Sequence, residues 1–208
     1  MRELDLLVEN ASTRRVRVAL DIEGVIADIT TPVLKLYNEM HGTNWKAEDV
    51  TDWGFKSINT GAHEVLPLFN RVWIERHGEI RYEANSRLIN ELRTICEVDI
   101  VTSRTGVDDQ IVSFVNSNGL SSVPIVIHPP TSEKTVLNYD VYIDDSPTLA
   151  DAVVKSDHGV LLLVDRPWNR SNVPENDRIM RVADTNAAVK EIFSAIRRSE
   201  GGGRRIKA

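Results

Sequence analysis

With 208 residues, 41% of them hydrophobic and 27% charged, the chain has enough apolar side chain for one sizeable core and room for a small inserted domain. A formal net charge of -6 argues against a general affinity for nucleic acid or anionic membrane and points to small-molecule partners, although a local basic cleft still suits a small phosphate. No stretch approaches the roughly 18 consecutive apolar residues of a membrane span, and MRELDLLVEN carries acids where a secretory signal has its apolar core, so the expected location is cytoplasmic.

Residues 1–14 read as an N-terminal extension expected to pack loosely. A first strand is expected at 16–20, followed by about sixty residues with no convincing strand. Those residues hold a helical pattern at 32–40, a loop with Trp45, Trp53 and Phe55, and a second helical pattern at 62–75. From there the chain alternates. Helices are expected at 83–96, 108–118, 132–137, 147–156 and 185–197, and strands at 98–101, 124–127, 141–143 and 160–164. Such alternation implies a parallel sheet with helices on both faces, interrupted by a helical insertion after the first strand. The expected division is a core of 15–30 and 83–198, a cap of 31–82, and a flexible basic tail at 199–208 carrying Arg204, Arg205 and Lys207. The single cysteine, Cys96, excludes an intramolecular disulfide and reads as a small core residue. His41, His63, His77, His128 and His158 show no ligand spacing, which argues against zinc.

Ligands of parallel sheets bind beyond the carboxyl ends of the strands, so the residues after each apolar run carry the functional expectation. After the first strand come Asp21 and Glu23, two acids on alternate residues that project to one side, then Gly24, which permits a close turn. After 98–101 come Thr102, Ser103 and Arg104, a set of hydroxyls, amides and a guanidinium suited to phosphate. Lys134 falls at the start of a helix, where an ammonium faces an anion. Asp144 and Asp145 are adjacent acids whose mutual repulsion calls for a cation, and Mg2+, a hard ion with oxygen ligands, is the expected one.

The order Asp-x-acid-Gly-Val, apolar-Thr, Lys and apolar-Asp-Asp resembles the four motifs of the haloacid dehalogenase (HAD) superfamily across residues 16 to about 165. Asp21 through Asp28, Tyr37-Asn38, Ile143 through Pro147 and Arg166-Pro167-Trp168-Asn169 are more specifically similar to the 5'(3')-deoxyribonucleotidase family. This resemblance implies a HAD-like Rossmannoid α/β fold with a small helical cap. It also implies a magnesium-dependent phosphatase that removes phosphate from a nucleoside 5'- or 3'-monophosphate through an aspartyl-phosphate. On the family's pattern Asp21 is the nucleophile and Glu23 the acid and base. Thr102, Ser103 and Lys134 bind the phosphoryl group. Asp21, the backbone carbonyl of Glu23 and Asp144 hold the metal with Asp145 in support, and Trp53, Phe55 and Arg104 border the substrate. The chain departs from the family at Ile29, where an aromatic is usual, and at Glu23, where aspartate is usual. The second departure keeps a different reading open, that of a catalytically weakened protein that binds or senses a phosphorylated ligand. Monomer and homodimer both remain open.

Several of these residues also have purely structural readings. Asp144 and Asp145 are suited to capping the helix at Pro147, Arg104 to pairing with Asp108 or Asp109, and Trp53 and Phe55 to filling a small cap core. Asp165, Trp168 and Asn169 divide evenly between the edge of the site and an ordinary loop.

Overall fold

The computed structural model describes residues 2–11, 14–127, 131–174 and 176–202. In chain order the elements are α1 (Glu3–Asn10), β1 (Arg17–Leu20), β2 (Ala27–Asp28), α2 (Thr30–His41), α3 (Ala62–Glu75), β3 (Arg81–Tyr82), α4 (Ser86–Ile95) and β4 (Glu97–Thr102). They continue with α5 (Asp108–Ser117), β5 (Ile125–Ile127), β6 (Val141–Asp144), α6 (Pro147–Lys155), β7 (Val160–Val164), β8 (Ile179–Val182) and α7 (Thr185–Gly202).

Six strands form one parallel sheet in the order β5-β4-β1-β6-β7-β8. Side chains alternate along each strand, and the alternation divides the core in two. Val18, Leu20, Ile100, Ile143 and Leu162 join one apolar cluster, whereas Ala19, Val101, Tyr142, Leu161 and Leu163 join another that includes Leu149, Ala150 and Val153 of α6. Both faces are therefore covered, which is why β7 reads as the uninterrupted apolar run Val-Leu-Leu-Leu-Val and all five of its residues are buried.

The order places β1 between β4 and β6, with Leu20 beside Ile100 and Ile143. The ladder continues one residue further, since the backbone N–H of Asp21 donates to the carbonyl of Ile143 at 3.0 Å. The strand ends carrying Asp21, Thr102 and Asp144 are thus neighbours by construction.

Between β1 and α4 the helices α2 and α3 pack on each other, and the segment is bounded by a ribbon. In this ribbon β2 and β3 pair antiparallel, Ala27 with Tyr82 and Asp28 with Arg81, and an Asp28–Arg81 ion pair of 2.7 Å closes it. The expectation of no strand here is corrected: two residues per strand are too few to produce an alternating signal. β8 was also unexpected. Three of its four residues are only half-buried or exposed, so its apolar signal is weak at the sheet edge. The helix expected at 132–137 is a 3₁₀ segment, Thr131–Leu137.

The chain ends depart from expectation as well. Residues 3–10 form α1, an amphipathic helix that buries Leu4 and Val8 against the core and packs on α7. Arg198 of α7 reaches Asp5 at 2.7 Å. The opening segment is therefore docked rather than loose. α7 extends through residues 199–202 of the expected tail, while Arg204, Arg205, Lys207 and also His128 lie outside the described residues. Cys96 is buried, and burial pushes its thiol up to about 12, in keeping with a core role. No helix among the described residues is long and apolar enough to cross a membrane.

Leu4 is 1% exposed and therefore tests whether α1 belongs to the folded unit. Leu4→Ala is expected to lower the unfolding free energy by about 2–4 kcal/mol in a denaturant titration, the range for emptying a buried leucine site. A loss below about 0.5 kcal/mol, typical of surface changes, would mean that α1 contributes nothing to the core.

Candidate functional site

Three segments converge on one buried cluster. Asp21 follows β1 directly, Asp144 ends β6 with Asp145 next to it, and Lys134 comes from the 3₁₀ segment that precedes β6. The Lys134 ammonium, 2% exposed, donates to Asp21 Oδ1 at 2.8 Å and to Asp144 Oδ2 at 2.7 Å. One cation is thus shared between two carboxylates.

Asp145 is held differently. Its Oδ2 accepts the indole N–H of Trp168 at 2.9 Å, and its backbone carbonyl accepts Nδ2–H of Asn169 at 2.8 Å. Asn169 also donates to the carbonyl of Val164, so the loop after β7 is anchored while it orients Asp145. The evenly divided reading of this loop resolves for Trp168 and Asn169, which both touch Asp145. Asp165 instead pairs with Arg170 and Arg181.

Gly24 explains how the chain after β1 passes so close to Asp145. Its φ is +74°, and a Cβ there would lie 2.1 Å from Asp145 Oδ2, so only glycine fits. The turn is closed by Ile22, whose carbonyl accepts the N–H groups of Val25, Ile26 and Ala27. Arg166 secures its outer side, donating from Nε to the Gly24 carbonyl and pairing with Glu83 just after β3, each at 2.7 Å. Both connections to the α2–α3 segment are therefore tied to the loop after β7.

Asp144 does not cap α6. Its Oδ1 accepts the backbone N–H of Ser146 at 2.9 Å, and Ser146 is itself the cap, its hydroxyl accepting from Leu149 N–H with Pro147 in the first turn. The second oxygen of Asp144 is left for Lys134.

Three carboxylates, those of Asp21, Asp144 and Asp145, can each bring an oxygen within 4.8 Å of the other two. Burial, the largest effect, pushes Asp21 up to about 7, with Lys134 opposing and Asp144 adding to the rise. Asp145 is pushed well above the ordinary carboxylate range by burial and then by the charges of Asp144 and Asp21. Burial opposes the charge on Lys134, yet Asp144 and Asp21 outweigh it and push its pKa up. Three acids against one ammonium leave a buried excess of negative charge, and hard oxygen donors in this arrangement suit a divalent ion such as Mg2+. The Glu23 carboxylate stands outside this group.

The phosphate-binding candidates lie beside it. Thr102 is 1% exposed, and its hydroxyl accepts the backbone N–H of Arg104, which closes a tight turn after β4. Ser103 Oγ is buried without a hydrogen-bond partner among the described residues. An orphaned hydroxyl is costly, and one beside a candidate anion site has a ready explanation in a ligand oxygen.

Arg104 does not pair with Asp108 or Asp109. Its guanidinium forks onto Glu23, with Nη2 at 2.7 Å from Oε2 and Nε at 2.9 Å from Oε1. The same Oε1 accepts the indole N–H of Trp73 from α3 at 2.7 Å. Trp73 was missed in the sequence because Val65, Leu68, Phe69, Val72 and Trp73 read as an ordinary apolar stripe. The available signal was the polar end of a tryptophan on a wholly buried face, which must find an acceptor.

A cavity of about 490 Å³ opens over the cluster, within the range of small-molecule sites. Its floor includes Asp21, Lys134, Asp144 and Asp145, and its upper wall includes Trp53, Phe55 and Leu66 from the α2–α3 segment. Trp53 lines the cavity and is 42% exposed, whereas Phe55 is buried and meets Phe69 edge-on at 6.3 Å. The two aromatics therefore differ: Trp53 is accessible from the cavity, and Phe55 packs inside the α2–α3 segment. Ile29, at the position where the 5'(3')-deoxyribonucleotidase resemblance would place an aromatic, also lines the cavity.

Millimolar Mg2+ is expected to raise the midpoint of thermal unfolding, and by more at pH 8 than at pH 5. At pH 5 protons hold Asp21 and Asp145 and compete with the ion, whereas above about 7 Asp21 is free to bind. No shift at either pH would remove the cluster as a cation site.

The family model described as "5' nucleotidase, deoxy (Pyrimidine), cytosolic type C protein" matches residues 14–194. No curated protein matches the chain. Among solved structures, a haloacid dehalogenase-like family hydrolase from Streptococcus pneumoniae is 10% identical with a TM-score of 0.60, over 86% of this chain and 97% of that one. A predicted phosphatase from Clostridium acetobutylicum is 11% identical with a TM-score of 0.59, over 86% and 99% of the two chains. A protein described as Protein Tyrosine Kinase A from Mycobacterium tuberculosis is 12% identical with a TM-score of 0.59, over 88% and 98%. At these identities the likeness is one of fold.

Proposed function

The chain belongs to the cytosolic type C 5'-nucleotidase family of HAD-like phosphoric monoester hydrolases, and on that premise we propose that it hydrolyses a nucleoside monophosphate with Asp21 as the nucleophile. The observation that carries this reading is the shared Lys134 ammonium, which fixes Asp21 and Asp144 together on the floor of a cavity with an aromatic upper wall.

The phosphoryl group enters with its oxygens toward Lys134, Thr102 and the unpartnered hydroxyl of Ser103, which offset the charge that blocks nucleophilic approach. An Asp21 carboxylate oxygen attacks phosphorus, the bond from phosphorus to the leaving oxygen breaks, and that oxygen takes a proton from Glu23. An aspartyl-phosphate on Asp21 results. Water then attacks phosphorus, gives a proton back to Glu23 and frees Asp21. Asp21, Asp144 and the backbone carbonyl of Glu23, with Asp145 in support, would hold a Mg2+ ion, which would supply positive charge to offset the acids and the phosphoryl oxygens. Trp168 and Asn169 keep Asp145 oriented for that role. The base of the nucleotide stacks on the exposed Trp53 ring, and a cap formed by residues 31–82 shields the reaction from water.

The test is phosphate release from a panel of nucleoside monophosphates and sugar phosphates with Mg2+. Asp21→Asn is expected to lower the rate by about a thousandfold or more, and Lys134→Met by about a hundredfold or more, with the fold checked by circular dichroism. A wild-type protein that binds phosphate but releases none from any compound would support a ligand-binding protein instead. Trp53→Ala is expected to raise KM for nucleotides about tenfold or more while changing kcat less, in keeping with the energy of one stacked base. An unchanged KM would remove the nucleotide shelf while leaving the phosphatase reading in place.

A further inference from the structure

Glu23 is joined to its surroundings by contacts that the reaction outlined above does not require. Its Oε1 accepts Trp73 Nε1–H at 2.7 Å and Arg104 Nε–H at 2.9 Å, and its Oε2 accepts Arg104 Nη2–H at 2.7 Å. Trp73 belongs to α3 and Arg104 to the loop after β4, so three separate parts of the chain meet on one carboxylate. The guanidinium is itself seated on α3, lying 4.9 Å from the centre of the Phe69 ring and placing Nη1 3.4 Å from Asn70 Oδ1.

The length of the acid matters to this arrangement. Trp73 is 0% exposed, and its indole N–H reaches its acceptor only because the side chain at position 23 extends that far. An aspartate would fall short of both donors by about an ångström or more, leaving a buried N–H unpaired and opening the fork. The departure at position 23 is thus matched by residues at 73 and 104. A carboxylate has about four lone-pair sites, and since Arg104 Nε also lies 3.1 Å from Oε2, the two side chains hold both oxygens of Glu23 in place.

We propose that Arg104 and Trp73 are positioning residues for Glu23, holding its longer side chain where it exchanges protons with the leaving group and with water. The proposal rests on the phosphatase reading above. In the first step the Glu23 carboxyl gives its proton to the leaving oxygen as the bond from that oxygen to phosphorus breaks. In the second it takes a proton from the water whose oxygen bonds to phosphorus as the Asp21 ester breaks. Because Trp73 and the seat of Arg104 both lie on α3, the placement of Glu23 depends on the α2–α3 segment being closed over the core.

Leaving-group dependence tests this. A p-nitrophenolate leaves without a proton, whereas the alkoxide of a nucleoside 5'-monophosphate needs one, so a misplaced acid penalises only the second. Arg104→Met is expected to lower kcat/KM for the nucleotide at least about tenfold more than for p-nitrophenyl phosphate, and Arg104→Lys to recover part of the difference. Trp73→Phe, which removes the N–H and keeps an aromatic ring, is expected to shift the ratio in the same direction. Glu23→Asp is expected to lower nucleotide turnover despite restoring the family's residue. Equal losses on both substrates, a change confined to KM, or a gain of turnover in Glu23→Asp would overturn the proposal and leave the phosphatase reading standing. A wild-type protein that releases phosphate from neither compound overturns both.

Discussion

The site depends on one buried ammonium. Lys134 is 2% exposed and stands between Asp21 and Asp144, carboxylates contributed by neighbouring strands, with Asp145 beside them. Burying charge costs several kcal/mol per ion unless partners with good geometry compensate, and a single cation cannot neutralise three acids. The structure answers this partly through protons, since burial raises Asp21 and Asp145. A divalent ion answers it more completely, and this same requirement makes the cluster a place where a dianionic phosphoryl group and its counter-ions can be assembled.

The rest of the molecule can be understood as supporting that cluster. Placing β1 between β4 and β6 brings the three strand ends together without any long side chain having to reach. Gly24 allows the backbone to pass against Asp145 where any Cβ would collide. The Arg166-Pro167-Trp168-Asn169 loop then works in two directions, with Trp168 and Asn169 fixing Asp145 and Arg166 fixing the turn at Gly24 and the return connection at Glu83. The strand-end chemistry and the two connections to the α2–α3 segment therefore share one anchor. A change in that loop would reach Asp145 and both connections to the α2–α3 segment together.

Glu23 is where the sheet edge and the α2–α3 segment meet chemically. An acid that in isolation reads as a departure from a family pattern becomes intelligible once its partners are seen, because Arg104 and Trp73 donate to the carboxylate that the extra methylene carries toward them. The α2–α3 segment is thus a wall of the cavity and also takes part in placing the acid. Phe55 packs against Phe69, and Phe69 lies beneath Arg104, so an aromatic pair of the α2–α3 segment backs the guanidinium that holds that acid.

The sequence by itself determined the parallel α/β sheet, the helical insertion after β1, and the order of Asp21, Thr102, Lys134, Asp144 and Asp145 behind their strands. These are local properties: an apolar run ends, a polar group follows, and the topology of a parallel sheet carries that group to the shared edge. Only the tertiary structure decided that Arg104 pairs with Glu23, 81 residues away, rather than with Asp108 or Asp109, and that Trp73 joins them. It also decided that residues 3–10 dock as a helix on α7 and that the loop after β7 holds Asp145. Each of these joins positions far apart in the chain, where no period or spacing records the contact. The choice among several acids of like charge was made by distance, burial and the need to satisfy each buried donor.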